Sequence, residues 1–169
     1  MPALWGWVGA GGGADTAPWP ASEVDGRSVA RDPHGRGGLF ISRMIDPHRD
    51  AGGIAVDARG RQIAYLGRPA FRVDAWQARA SEAGLPAALL AAYDVHGEGL
   101  LAQLTGWFAL ALIDPAAERA ILAIDRMGVG QMAYAQLAGG IAFSTDLNLL
   151  ARHPGVDTTI TPQAIYRYA

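Results

Sequence analysis

Short apolar blocks separated by polar turns run through most of this 169-residue chain. Residues 107–113 are continuously apolar, which predicts a strand buried on both faces. Asp114-Pro115 supplies the turn that ends it. Residues 121–124 form a second apolar run, stopped by Asp125-Arg126, and also read as a buried strand. Residues 132–135 and 141–143 predict a hairpin, with Ala138-Gly139-Gly140 as its turn. Residues 147–151 then change to a helical pattern, with Ser144 or Thr145 placed to cap it.

The first half of the chain is less regular. Residues 1–9 are almost wholly apolar and predict a strand beginning near the first residue. Residues 14–38 carry Pro18, Pro20 and Pro33 among many polar positions, which predicts loop with a short helix near residues 22–29. Residues 39–45 are strand-like. Residues 54–56 and 62–66 predict a hairpin around Asp57-Ala58-Arg59-Gly60. Residues 86–95 read as a helix with Leu89, Leu90 and Tyr93 on one face, and His96-Gly97 ends it. A second short helix is expected over 98–104. Thr161 as cap and Pro162 in the first turn open a final helix toward Tyr168.

Composition narrows the classes. The length suits one domain with a substantial core. Half of the residues are hydrophobic and 18% are charged, close to ordinary globular usage. The net charge of −2 implies no broad attraction to nucleic acid or an anionic membrane. The 14 basic residues are all arginine, which reads as base-composition bias rather than function. There is no cysteine, which removes disulfides, thiolate metal sites and thiol nucleophiles. The chain carries no apolar run of membrane-spanning length and no basic-then-apolar start, so a cytoplasmic protein is the expectation.

Isolated chemical signals are weak. The glycine-rich stretch 9–14 lacks the Gly-Lys-Ser/Thr sequel of a phosphate loop and leads to Asp15 and Pro18, so it reads as a surface loop. His34, His48, His96 and His153 are dispersed in turns and helix ends, without further ligands at metal-site spacing. The five tryptophans do not interleave with basic residues, which argues against nucleic-acid stacking. No Ser-His-Asp combination follows from spacing.

The order of elements in the C-terminal half carries a resemblance. Leu104-Thr105-Gly106-Trp107-Phe108-Ala109, Asp125-Arg126-Met127-Gly128 and Phe143-Ser144-Thr145-Asp146 match, in order and spacing, the motifs of one family. This half resembles the N-terminal glutaminase-like domain of asparagine synthetases, the class II glutamine amidotransferase domain. The resemblance implies an α+β fold, a four-layer αββα sandwich of the N-terminal-nucleophile hydrolase type. It implies a glutaminase-like domain over 1–155. It also implies that residues 156–169 begin a linker toward a C-terminal ATP-dependent synthetase domain.

The same resemblance points to losses. Active relatives expose a cysteine after removal of Met, and its own amino group serves as base. The register of Trp5-Gly6-Trp7-Val8 puts Pro2 at that position. An N-terminal proline acts as a base in tautomerases, but nothing else in the chain resembles that small fold. The family's asparagine-glycine pair forms the oxyanion hole. Here it reads Leu66-Gly67, followed by Arg68, so the donor side chain is missing. Pro2, Leu66, Gly67 and Arg68 are thus a vestigial pocket with no catalytic residue. The family's substrate-binding arginine has only a scrambled echo in residues 31–37. Its acidic ligand falls near Ala83-Gly84-Leu85-Pro86, unless Glu82 substitutes. Asp125, Arg126 and Gly128 form a structural motif, the first two as an ion pair or turn anchor.

The reading is a non-catalytic, structural domain of an asparagine-synthetase-like amide ligase, similar to the degenerate domains of β-lactam synthetase and lasso-peptide cyclases. No metal or cofactor is expected within it; ATP and magnesium would serve the synthetase domain. That domain is the expected partner, with homodimerisation as a further option. Two alternatives stand: a working glutaminase with an unrecognised nucleophile, and a free-standing module holding a small amino-acid ligand.

Overall fold

The computed structural model describes residues 3–9, 28–31 (backbone only), 37–41 and 52–159. The expected strand over 42–45 and the helix over 160–168 lie outside these residues, as does Pro2. The fold is mixed α+β, and every strand pairing among the described residues is antiparallel.

Eleven strands are described: β1 (Leu4–Gly9), β2 (Ser28–Arg31), β3 (Gly37–Ile41), β4 (Gly52–Val56), β5 (Gln62–Gly67), β6 (Ala70–Phe71), β7 (Leu104–Thr105), β8 (Phe108–Asp114), β9 (Arg119–Ile124), β10 (Ala133–Leu137) and β11 (Gly140–Ser144). Three α-helices accompany them: α1 (Asp74–Ala83), α2 (Leu85–His96) and α3 (Leu147–Ala151), with a 3-10 helix at Gly97–Gln103. One sheet has the order β10-β11-β1-β3-β2, another β4-β5-β8-β9, and β6 pairs with β7.

Strand side chains alternate between faces, and here both faces are covered. On β8, Phe108, Leu110 and Leu112 join the core under α2, while Ala111 and Ile113 join the core between the two large sheets. On β5, Ile63 and Tyr65 face the helices, and Ala64 and Leu66 face the other sheet. On β1, Leu4 enters the inter-sheet core, while Trp5 joins Phe40, Ala142, Leu149 and Leu150 on the side of α3. Three apolar layers therefore follow from the two-residue period of a few strands. Trp5 and Trp7 each stack on Phe40 with 5.5 Å between ring centres.

The helix α2 is held by charge as well as by Leu89, Leu90 and Tyr93. Arg61, on the β4–β5 hairpin, is 8% exposed. Its Nε donates to Asp57 Oδ2 at 2.6 Å and its Nη1 to Asp94 Oδ1 on α2 at 2.9 Å. The same guanidinium lies 5.7 Å from the centre of the Tyr93 ring. Arg59 also donates to Asp94.

Several expectations are corrected. The buried strand begins at Phe108, not Trp107: Trp107 is 40% exposed, because Gly106 turns the chain with a φ of +88° just before the strand. β9 is not a buried strand. It is the edge of its sheet, its residues are half-buried, and Ile124 is exposed. Ser28 and Val29 belong to a strand, so a helix does not extend to Val29. Asp146, not Ser144 or Thr145, caps α3, accepting from the N–H groups of Asn148 at 2.9 Å and Leu149 at 3.4 Å. Ser144 is still in β11, and Thr145 Oγ1 is committed to accepting from Leu4 N–H at 3.0 Å. Among the described residues no helix is long and apolar enough to cross a membrane.

Candidate functional site

Leu66 pairs with Gly52 on β4 and Ala109 on β8, and its side chain sits in the inter-sheet core with Leu4. Leu66 is 9% exposed. Its side chain presents carbon alone, so it donates nothing into the space beyond the strand. Gly67 follows with a φ of +102°, and a Cβ there would meet Trp107 O at 2.4 Å. Only glycine takes that turn without strain. Arg68 then donates its backbone N–H to Trp107 O at 2.7 Å, and its side chain is exposed.

Pro2 lies outside the described residues. Its successor Ala3 is buried, and the next residue is tied at both polar groups. Leu4 N–H donates to Thr145 Oγ1, and Thr145 N–H donates to Leu4 O at 2.9 Å. Thr145, read from the sequence as a candidate helix cap, is bound to the start of β1 instead. It fixes the start of β1 through its hydroxyl, which accepts from Leu4 N–H, and through its own N–H, so the hydroxyl is engaged. Glu82 is exposed on α1, beside Trp76 and Arg79 on a shallow surface depression. Residues 32–36 of the scrambled arginine motif lie outside the described residues. Among the described residues no group of three or more His, Asp or Glu side chains is placed to hold a metal ion.

Asp125 is a different case. The sequence 125–130 makes a tight turn in which one carboxylate gathers four backbone donors. Its Oδ2 accepts from Phe108 N–H at 3.2 Å and Gly130 N–H at 2.6 Å. Its Oδ1 accepts from Met127 N–H at 3.0 Å and Val129 N–H at 3.2 Å. Gly128 closes the turn with a φ of +67°, donating its N–H to Asp125 O at 3.0 Å. Asp125 is 4% exposed. The Gly130 hydrogen bond, with those from Val129, Phe108 and Met127, holds its carboxyl below the usual carboxylate range despite burial. This carboxylate anchors the turn. Arg126 is exposed and makes no ion pair with it.

A profile of the glutamine amidotransferase domain family matches residues 81–169, more than half of the chain. The chain belongs to this family. The matched part of this amidotransferase domain runs from the end of α1 through α3 and includes β8, β9 and the Asp125 turn. Pro2, β1 and the end of β5, which carries Leu66, lie outside it. No curated protein matches the chain.

Proposed function

We propose that this amidotransferase domain does not hydrolyse glutamine and serves as the structural N-terminal domain of an asparagine-synthetase-like, ATP-dependent amide ligase. The observation that carries this reading is Leu66. It ends β5 with its side chain turned into the inter-sheet core, at the place where the resembled domain needs a polar donor. Removal of one oxyanion donor costs about two to three orders of magnitude in rate. The absence of any cysteine from the chain removes the covalent route as well.

In this reading the two packed sheets and the helices outside them are the four-layer αββα sandwich of N-terminal-nucleophile hydrolases. Pro2, Leu66, Gly67 and Arg68 are what is left of the pocket. Asp125, Arg126 and Gly128 keep the architecture. ATP and magnesium act on a synthetase domain, which is the partner; a homodimer is compatible with the same arrangement. The parent enzyme is cytoplasmic and takes its amine from a source other than glutamine, as in β-lactam synthetase and lasso-peptide cyclases.

The test is repair of one element alone. Pro2→Cys restores a thiol next to the amino terminus but leaves the leucine at the oxyanion position. Glutamate release from glutamine by Pro2→Cys is expected to stay at the blank rate. Turnover restored by that single change would show that Leu66 does not disable the pocket and would remove the observation that carries this reading; turnover by the unmodified chain would overturn it.

A further inference from the structure

We propose that the cavity at the Gly106–Asp125 end of the four-stranded sheet binds a small carboxylate with an apolar body, at a site separate from the pocket beside Leu66. The cavity has a volume of about 760 Å³, inside the range of roughly 300–1,000 Å³ typical of small-molecule pockets. Its wall gathers Trp107, Ile124, Met127 and Val129, all exposed. Met127 is 84% exposed and Val129 63%. Single exposed apolar residues are ordinary, but four on one concavity form a surface that a ligand would cover. The wall is also preformed. Met127 and Val129 are pinned through their backbone N–H groups to Asp125, and Arg68 pins Trp107.

The charge at this site is positive. Arg72 and Arg126 line the cavity. Arg72 Nε donates to Leu104 O at 3.1 Å, which fixes the plane of its guanidinium and leaves the terminal nitrogens available. Arg126 makes no hydrogen bond or ion pair among the described residues. Asp125, the acid on the lining, spends its oxygens on backbone donors and makes no ion pair with either arginine, so the lining keeps a net positive charge. A guanidinium presents parallel donors that match the two oxygens of a carboxylate. The apolar wall then takes an aryl or alkyl body, with Trp107 as the aromatic surface. Leu66, Gly67 and Arg68 do not line this cavity, so the site stands whether or not glutamine is hydrolysed elsewhere.

Isothermal titration of the full chain with 4-phenylbutyrate, and with 4-phenylbutyramide as its uncharged counterpart, tests the proposal. The acid is expected to bind with a Kd of about 1 mM or tighter, and the amide at least about tenfold more weakly. Arg126→Gln and Met127→Glu change exposed positions, and each is expected to weaken acid binding about tenfold, the first by removing a donor and the second by repulsion. Amide NMR shifts on addition of the acid should cluster at residues 104–107 and 124–129. Absence of acid binding, equal affinity for acid and amide, or acid binding indifferent to both substitutions would each overturn it.

Discussion

Asp125 shows how much structure one buried carboxylate organises. It joins the start of β8, the end of β9 and the following turn, because its two oxygens accept from residues in both segments. Asp94 also titrates below the usual carboxylate range, chiefly through the Arg61 hydrogen bond and then through Arg59. The sign of the pH dependence follows. In the unfolded chain both carboxylates take up protons in the ordinary range near pH 4; in the folded chain they resist. Their stabilisation is therefore complete above about pH 4 and is lost as the pH falls through the lower folded values. Asp125→Asn is expected to lower the unfolding midpoint at neutral pH by several degrees, on the order of 5 °C, and to flatten the acid limb. Thermal unfolding followed by circular dichroism from neutral pH to about pH 3 checks both. An unchanged acid limb would remove Asp125 from this role.

At the scale of elements, capping and packing decide what a sequence reveals. α3 is short, so it depends on its cap and on Leu149 and Leu150 beneath β10 and β11. Asp146→Ala is expected to cost about 0.5–2 kcal/mol by chemical denaturation. Thr145→Ala should act instead by loosening the start of β1. Equal loss of amide protection in α3 from both changes would contradict the assignment of the cap. The apolar runs of β1, β5, β8 and β11 were legible because each strand is covered on both faces, and an unbroken hydrophobic run is what that demands. β9 carries a similar run but lies at a sheet edge, a position that local sequence does not encode. α1 was not foreseen for a related reason. Ala80 is its one buried residue and Trp76 packs at its margin on Phe71, so it shows no apolar stripe to read. The cavity beside Trp107 was illegible as well, since its lining comes from positions 72 to 129 in several elements. Pro2 and Leu66 gained meaning only through the resemblance; on composition alone they are ordinary apolar residues.

At the scale of the whole molecule, the packing of the two large sheets is what, in the proposed reading, keeps the fold once the chemistry is gone. The three apolar layers draw on many strand and helix positions, of which Leu66 near the end of β5 is only one. Leu66 adds carbon to the inter-sheet core, and in the proposed reading it does so at the oxyanion position, so that packing gains where catalysis loses. The most direct measurement is steady-state release of glutamate from glutamine by the purified, unmodified chain, followed over a long incubation and compared with a buffer blank. The account predicts a rate indistinguishable from the blank. Sustained turnover that a substitution beside Leu66 or Gly67 abolishes would contradict it and return this domain to the working glutaminases.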